Sequence, residues 1–365
     1  MKKRFFAFCI LLLLVFSLST ALISCGDGYE PVESTKEEKE TVMTLSCDGE
    51  SYKVPYELYR ALFLELKSSV DGGNADVWSG EDKSAYVQKI DELILHRISE
   101  IYSVIHLCDK AGINVYSGSF DTKVTDYIKA VVDTESKYGG FDGDYDKYLA
   151  SLKEMHMNYS VADLLLRYEF GREALERYYV GNIGDDLSSD AAIGKIKYTR
   201  EDVNEFYFDA DSSRQIISLM LQKSTTSIDY DRAVEIRNTL ASKTDEKSAG
   251  LYIAGFTGNP DSIVVGKYSY DKFYWSKYTD AAFSLGIGAT SQVLTLKTDD
   301  FDGYAIIYRV EPSEEYFDEN YAEIANEYVM NEFGKIVETA SDEIKASVGF
   351  TNALTSLDRS SISME

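Results

Sequence analysis

"YTDAAFSLGIGATSQVLTLKTDDFDGYAIIYRV", residues 278–310, is the stretch with the most informative structural pattern. It starts at the end of a short helix, passes a Gly-Ile-Gly turn, and continues as two strand candidates, 290–297 and 302–310. The second strand is rich in β-branched and aromatic residues, which predicts a buried strand. One small residue, Ala305, stands among large neighbours. Either another element packs closely there, or a functional side chain is missing.

The residues before this stretch complete a small domain. "RQIISLMLQ" (214–222) is an apolar strand candidate. "DYDRAVEIRNTLAS" (229–242) predicts an amphipathic helix with Ala233, Ile236 and Leu240 on one face. Gly, Asn and Pro turn residues follow in "GFTGNPDS" (255–262). Strands at both ends around helices indicate an α+β domain of about 100 residues.

The flanking sequence is mainly helical. In "YVQKIDELILHRISEIYSVIHLCDKAGI" (86–113), apolar residues recur at three- and four-residue steps, which predicts a long helix. Before it, a short strand at Val42–Ser46 meets an Asp48-Gly49 turn, and Pro55 can open a helix. A closing helix, about 318–347, is too apolar to stand free. We expect it to pack back on the N-terminal helices, which makes the small domain an insert.

The charge of the chain limits its partners. The 365 residues include 62 acidic and 37 basic side chains, giving a formal net charge of −25. Such an acidic surface repels nucleic acid and anionic lipid head groups. The sequence therefore predicts no nucleic-acid partner, and the negative charge favours solubility.

The N-terminus predicts export. "MKKRFFAFCILLLLVFSLSTALISC" (1–25) has a basic start, an apolar run and small residues, as in a secretory signal peptide over 1–24. Leu22-Ile23-Ser24-Cys25 resembles the bacterial lipobox, which implies a lipid on Cys25 and a place on the outer face of the cytoplasmic membrane. The alternative is an ordinary signal peptide. The polar residues 25–42 predict a flexible tether.

Sequence patterns give no metal or cofactor site. Cys47 and Cys108 remain after the signal, and they can form a disulfide outside the cytoplasm or stay free. The three histidines, His96, His106 and His156, show no metal-ligand spacing. The Gly-Ile-Gly turn is no phosphate cradle, because no strand–helix unit surrounds it. We therefore expect neither a metal nor a cofactor.

The opening stretch resembles the C-terminal half of a parvulin-type peptidyl-prolyl isomerase domain, with "AFSL", a Gly turn, "S-x-V" and a strand in place of "GYHII". The helical region is similar to the chaperone domain of the SurA and PrsA foldases, in "CDGESYKVPYELYRALF" (47–63) and "YTREDVNEFYFD" (198–209) among others. The resemblance covers about 43–350. It implies an α+β protein with a helical chaperone domain at 43–205, an inserted parvulin-like domain at 206–312, and a C-terminal helix and tail at 313–365.

The resemblance also implies where a catalytic pocket would lie. Ala305 stands where the family has a histidine, Ser218 stands at the other pocket histidine, and Asn259 takes the position of a Cys or Asp. Tyr278 and Phe283 match aromatic positions of the family and Tyr274 takes the place of a methionine, so these three side chains are expected to grip a peptide. Isomerisation must lower an amide rotation barrier of ~18–20 kcal/mol, by an apolar grip and positioned hydrogen bonds. Ala305 supplies neither, so we expect weak or absent catalysis.

Three functions remain open from the sequence. The first is a membrane-tethered chaperone that binds unfolded exported polypeptides, with a weak or inactive parvulin-like domain. The second is an active prolyl isomerase with an altered pocket. The third is a lipoprotein scaffold in an envelope complex. The sequence is compatible with a homodimer and does not identify client proteins.

Overall fold

The computed structural model describes residues 29–181, 194–226, 228–257, 262–269, 272–297 and 301–363. The chain divides into two compact units. Unit 1 comprises Met1–Leu175 and Val337–Glu365, and unit 2 comprises Glu176–Ile336. In the described residues, no helix is both long enough and apolar enough to cross a membrane. The domain boundaries predicted at 205/206 and 312/313 stay predictions.

Unit 1 contains a three-stranded sheet in the order β2-β1-β7, formed by β1 (Thr41–Cys47), β2 (Glu50–Pro55) and β7 (Gly349–Phe350). The tight turn between β1 and β2 is made by Asp48 and Gly49, whose φ angles are 48° and 84°. Two consecutive positive φ angles match the twist of the hairpin strands, which explains the Asp-Gly pair. The predicted strand and turn are therefore confirmed.

The helices of unit 1 cover the sheet and each other. They are α1 (Tyr56–Asp71), α2 (Lys83–Lys110), α3 (Gly118–Asp133), α4 (Tyr145–Glu154), α5 (Tyr159–Tyr179, which continues into unit 2) and α13 (Asn352–Thr355). Short 3-10 turns lie at Ala75–Trp78, Ser136–Tyr138 and Arg359–Ser361. The isoleucines of the predicted long helix, from Ile90 to Ile105, form a buried stripe of α2. Pro55 is the N-cap of α1 and the last residue of β2.

The last segment of the chain completes unit 1. Strand β7 pairs with β1, with Met43 opposite Phe350. The hydroxyl groups of Ser99 and Ser341 lie 2.9 Å apart and form a buried hydrogen bond. The helix predicted over about 318–347 is divided into α11 (Glu314–Glu319) and α12 (Tyr321–Ala346), because Asn320 leaves the helical conformation.

The segment predicted as a tether makes specific contacts from Tyr29 onward. The ring of Tyr29 stacks on Tyr145 with centroids 4.6 Å apart. Glu38 forms an ion pair with Arg60 at 2.7 Å, and β1 begins at Thr41. Burial acts to raise the pKa of Glu38, but the hydrogen bond from the Thr35 backbone N–H and the bonded Arg60 outweigh it and lower the pKa to about 2. Residues 29–42 are thus held on unit 1, and 25–28 lie outside the described residues.

Unit 2 is built on an antiparallel sheet in the order β4-β3-β6-β5. Its strands are β3 (Ser213–Gln222), β4 (Ile263–Gly266), β5 (Leu294–Lys297) and β6 (Asp302–Arg309). Its helices are α6 (Arg200–Phe208), α7 (Lys223–Thr226), α8 (Tyr230–Leu240), α9 (Glu246–Thr257), α10 (Lys272–Ser284), α11 and most of α12. One sheet face packs on α8 and α9, and the other on α10. The chain is an α+β protein, as predicted.

Cys47 and Cys108 are both buried free thiols. Cys108 donates to the carbonyl oxygen of Gly171 at 3.4 Å, and Cys47 lies beside a carboxylate. Of the two alternatives that the sequence left open for this pair, the structure has the unpaired one.

Candidate functional site: the α10 face of the four-stranded sheet

The register of β3 and β6 places the predicted pocket positions on one face. Met220 lies opposite Ala305, and Ser218 lies opposite Ile307. Because opposed residues of antiparallel strands point to the same side, Ser218 and Ala305 are diagonal neighbours. The aromatic Tyr278 comes from α10, which covers this face. The structure therefore gathers Ser218, Ala305 and Tyr278, with Phe283 packed against the same apolar cluster.

Ala305 lies at a closed position of this face. Its exposed fraction is 0%, and it packs in a cluster with Tyr278, Leu296 and Ile307. Tyr278 is itself only 4% exposed. An imidazole at position 305 would have to displace these side chains, since protein interiors have few voids larger than a water molecule. The small residue that stood out in the sequence is thus a place where another element packs closely.

The other predicted residues differ in their surroundings. Ser218 and Phe283 are half-buried. The guanidinium of Arg214 lies over the ring of Phe283, with its carbon 4.5 Å from the ring centroid. One face of this predicted peptide-gripping aromatic is thus already occupied. Tyr274 belongs to α10, but its side chain lies outside the described residues, as does Asn259.

Two arginines at one end of the face were not predicted. Arg214 is 7% exposed, and it donates to the carbonyl oxygens of Ser213 and Phe283 at 2.9 and 3.4 Å. Arg309 donates to the carbonyl oxygen of Leu285 at 2.5 Å. Neither has a carboxylate within ion-pair distance among the described residues. The sequence signal that was missed is a basic residue at an inward position of β3 and another at an inward position of β6.

Burial and a neighbouring positive charge act on the pKa of Arg214, although an arginine side chain stays protonated in proteins. Desolvation, and then the neighbouring charge of Arg309, lower the pKa of Arg214, while Asp211 and Asp209 partly oppose this shift. The Nε atoms of both arginines are buried, and within the described residues they have no hydrogen-bond partner. This end of the face is therefore positively charged in a chain whose overall charge is negative.

The chemistry that this face can perform is narrow. Along the inward positions of the four strands, the described side chains are apolar apart from Ser218, Gln222, Arg214 and Arg309. None of them is a carboxylate, an imidazole or a thiol. General acid–base catalysis depends on such groups held within hydrogen-bond reach of the reacting atom. The arrangement suits apolar contact and one or two hydrogen bonds.

Comparison with known proteins gives structural neighbours alone. No protein-family model and no curated protein matches the sequence. The foldase protein PrsA of Streptococcus pneumoniae is similar over 83% of this chain and 92% of its own, at 13% identity and a TM-score of 0.28. The PrsA of Lactococcus lactis is similar over 89% of this chain and 99% of its own, at 13% identity and a TM-score of 0.25. The PrsA of Bacillus subtilis is similar over 84% of this chain and 92% of its own, at 17% identity and a TM-score of 0.23. Likeness at this level carries no argument about activity.

Proposed function

We propose that this chain is an extracytoplasmic chaperone that binds unfolded exported polypeptides, and that its parvulin-like unit has lost most or all isomerase activity. The single observation that carries the proposal is the closed position of Ala305, which is fully buried where the resembling family has a histidine. Ser218 stands at the second histidine position, so both donors of the family's pocket are replaced. Removing one positioned donor from an active site commonly costs about 10²–10³ in rate.

Exposed apolar side chains of unit 2 support the binding role. On α9, Leu251 is 66% exposed and Phe256 is 40% exposed. The rings of Tyr252 and Phe256 are in contact, with centroids 5.4 Å apart, so part of this surface is aromatic. Such surface is available to the apolar segments of an unfolded chain, while the net charge of −25 keeps the chaperone itself soluble.

The first test measures how well the protein suppresses aggregation of reduced, denatured lysozyme. We expect the double variant Leu251→Ser/Phe256→Ser to suppress aggregation several-fold less than the wild type. Tyr138→Ser is the matched control, because Tyr138 is 64% exposed and belongs to unit 1. Equal suppression by all three proteins argues against this surface. No suppression by the wild type favours the scaffold function.

The second test measures isomerisation of X-Pro peptides by the full chain, beside an intact parvulin. We expect a rate at least about 10²-fold below that of the parvulin. Comparable turnover that is lost in Tyr278→Ala, with the fold of the variant verified by circular dichroism, would establish the alternative function of an active isomerase. In that case the closed Ala305 position would have to open in solution.

The proposed location is the outer face of the cytoplasmic membrane, held by a lipid on Cys25. It rests on the lipobox-like Leu22-Ile23-Ser24-Cys25 after an apolar run. Fractionation of cells that produce Cys25→Ala tests it, and we expect the variant to leave the membrane fraction. A variant that stays as firmly bound as the wild type would contradict the anchor.

A further inference from the structure

Unit 1 contains a second group of chemically active side chains. Cys47 and Asp48 lie at the β1–β2 turn, and His106 lies on α2. One sulfur, oxygen or nitrogen atom from each of the three lies within 4.8 Å of the others. His106 is 1% exposed and Cys47 is 4% exposed. No local sequence pattern indicates this group, because 58 residues separate His106 from Asp48.

The hydrogen bonds around His106 leave one ring nitrogen free to accept. The Tyr52 hydroxyl donates to the Glu50 carboxylate at 2.9 Å, so its oxygen accepts from Nδ1–H of His106 at 2.8 Å. In that tautomer Nε2 carries a lone pair. This lone pair faces the Oδ2 oxygen of Asp48 at 3.4 Å. Two lone pairs at this distance repel each other unless a cation lies near, and the ammonium group of Lys110 already pairs with this oxygen of Asp48.

A further carboxylate lies beside the thiol, outside the three residues whose ligand atoms share the 4.8 Å group. The Oε2 oxygen of Glu343, on the part of α12 that belongs to unit 1, lies 3.3 Å from Sγ of Cys47. Thiolate, imidazole and carboxylate are the usual ligands of Zn²⁺, which is four-coordinate in structural sites. The thiolate and the imidazole disfavour Ca²⁺ and Mg²⁺, which take oxygen ligands.

We propose that Cys47, Asp48 and His106 bind one Zn²⁺ ion, and that the side chain of Glu343 turns from the Cys47 thiol toward the ion to become the fourth ligand. Tyr52 and Glu50 are positioning residues, because they hold the tautomer of His106, as the outer partners of metal-bound histidines do. The ion joins the β1–β2 turn to α2 and to the end of α12. Its role is structural, and it does not depend on the chaperone function.

Lys110 is the competing cation. Its ammonium group pairs with Asp48, and its side chain is 48% exposed. A half-exposed lysine can swing into solvent when a divalent ion takes the carboxylate. The thiolate and two carboxylates supply three negative charges, which Zn²⁺ and the nearby Lys110 together balance. Removing Lys110 is therefore expected to strengthen metal binding.

The test uses the full chain, purified as the cell produces it and stripped with a chelator. Co²⁺ serves as the probe, because a bound thiolate gives a sulfur-to-cobalt charge-transfer band. We expect one Co²⁺ per chain, with that band, and displacement by Zn²⁺. Cys47→Ser should lose the band, and the matched control Cys108→Ser, which changes the other buried thiol, should keep it. Tyr52→Phe should keep the band and weaken binding about 10- to 100-fold.

A variant at a buried ligand can fail to fold, so a second variant is needed. Lys110→Met serves this purpose, because it alters a half-exposed side chain. We expect it to bind Co²⁺ more tightly than the wild type. Absence of the band in the wild type, or a band that persists in Cys47→Ser, would overturn the proposal. Binding that is weaker in Lys110→Met would overturn it as well.

Discussion

Arg359 secures the C-terminal tail to the helices of unit 1, and its removal is the sharpest test of that contact. The residue is 5% exposed. It donates to Oδ2 of Asp91 at 2.9 Å, to the Tyr59 hydroxyl at 3.2 Å, and to the carbonyl oxygens of Leu354 and Leu357 at 2.6 and 2.9 Å. Tyr59 in turn donates to Oδ1 of Asp91 at 2.5 Å.

The expected effect of Arg359→Ala follows from the buried charge it leaves behind. Asp91 has a side chain only 17% exposed, and it would lose its cation. Removing one partner of a buried ion pair costs about 3–5 kcal/mol. A change of 1 kcal/mol shifts the melting temperature by about 2–4 °C in a unit of 150–250 residues. We therefore expect the transition of unit 1 to fall by roughly 6–20 °C.

The control is the exposed ion pair of the same tail. Lys83 and Asp358 lie 3.2 Å apart with side chains 42% and 57% exposed, so Lys83→Ala should cost at most about 1 kcal/mol. Differential scanning calorimetry of the full chain measures both variants, and limited proteolysis reports release of the tail. If Arg359→Ala shifts the transition no more than Lys83→Ala does, the buried network does not hold the tail, and the reasoning is wrong.

Three further predictions concern unit 2. The carboxylate of Glu327 accepts from the Gly266 N–H at 2.6 Å, and burial raises its pKa in the folded protein. The folded wild type therefore loses stability as the pH rises from 4.5, the ordinary pKa, through the raised pKa. The melting temperature of Glu327→Gln minus that of the wild type should therefore increase as the pH rises from 4 to 8. A difference that does not change with pH would contradict this. Ala305→His should cost about 1–3 kcal/mol by overpacking and restore no isomerisation of X-Pro peptides; a stable, active variant would show an open pocket. Thr199→Ala removes the capping box at the start of α6 and should cost about 0.5–2 kcal/mol in urea unfolding, whereas an unchanged midpoint would show that the cap is dispensable.

The parts of the fold that follow local periodicity could be predicted from the sequence. The β6 strand and the isoleucine stripe of α2 lie where the residue patterns placed them, because alternation and helical spacing depend on near neighbours. The break between α11 and α12 was missed, since Asn320 is a weaker helix-stop signal than Gly or Pro.

Features that depend on distant residues could not be predicted in this way. The spacing of Ala305 left open whether a side chain was missing or a neighbour packed closely, and the contact with Tyr278 from α10 decides this. The inward arginines, Arg214 and Arg309, require the strand register to be known. The meeting of Cys47 with His106 depends on how a hairpin packs on a helix. Contacts between residues that are far apart in the sequence cannot be predicted from local patterns alone.

The pairing of β7 with β1 sets an order for folding during synthesis. Thr44 and Gly349 are bonded across a separation of 305 residues, so one edge of β1 lacks its partner until almost the whole chain has been made. Unit 2 is one continuous segment, Glu176–Ile336, and it can fold before the C-terminus exists. During synthesis from the N-terminus, most of unit 1 is made first, but unit 1 is completed only after unit 2. Until then β1 presents an unpaired strand edge, and this chain is, for that interval, an aggregation-prone polypeptide itself.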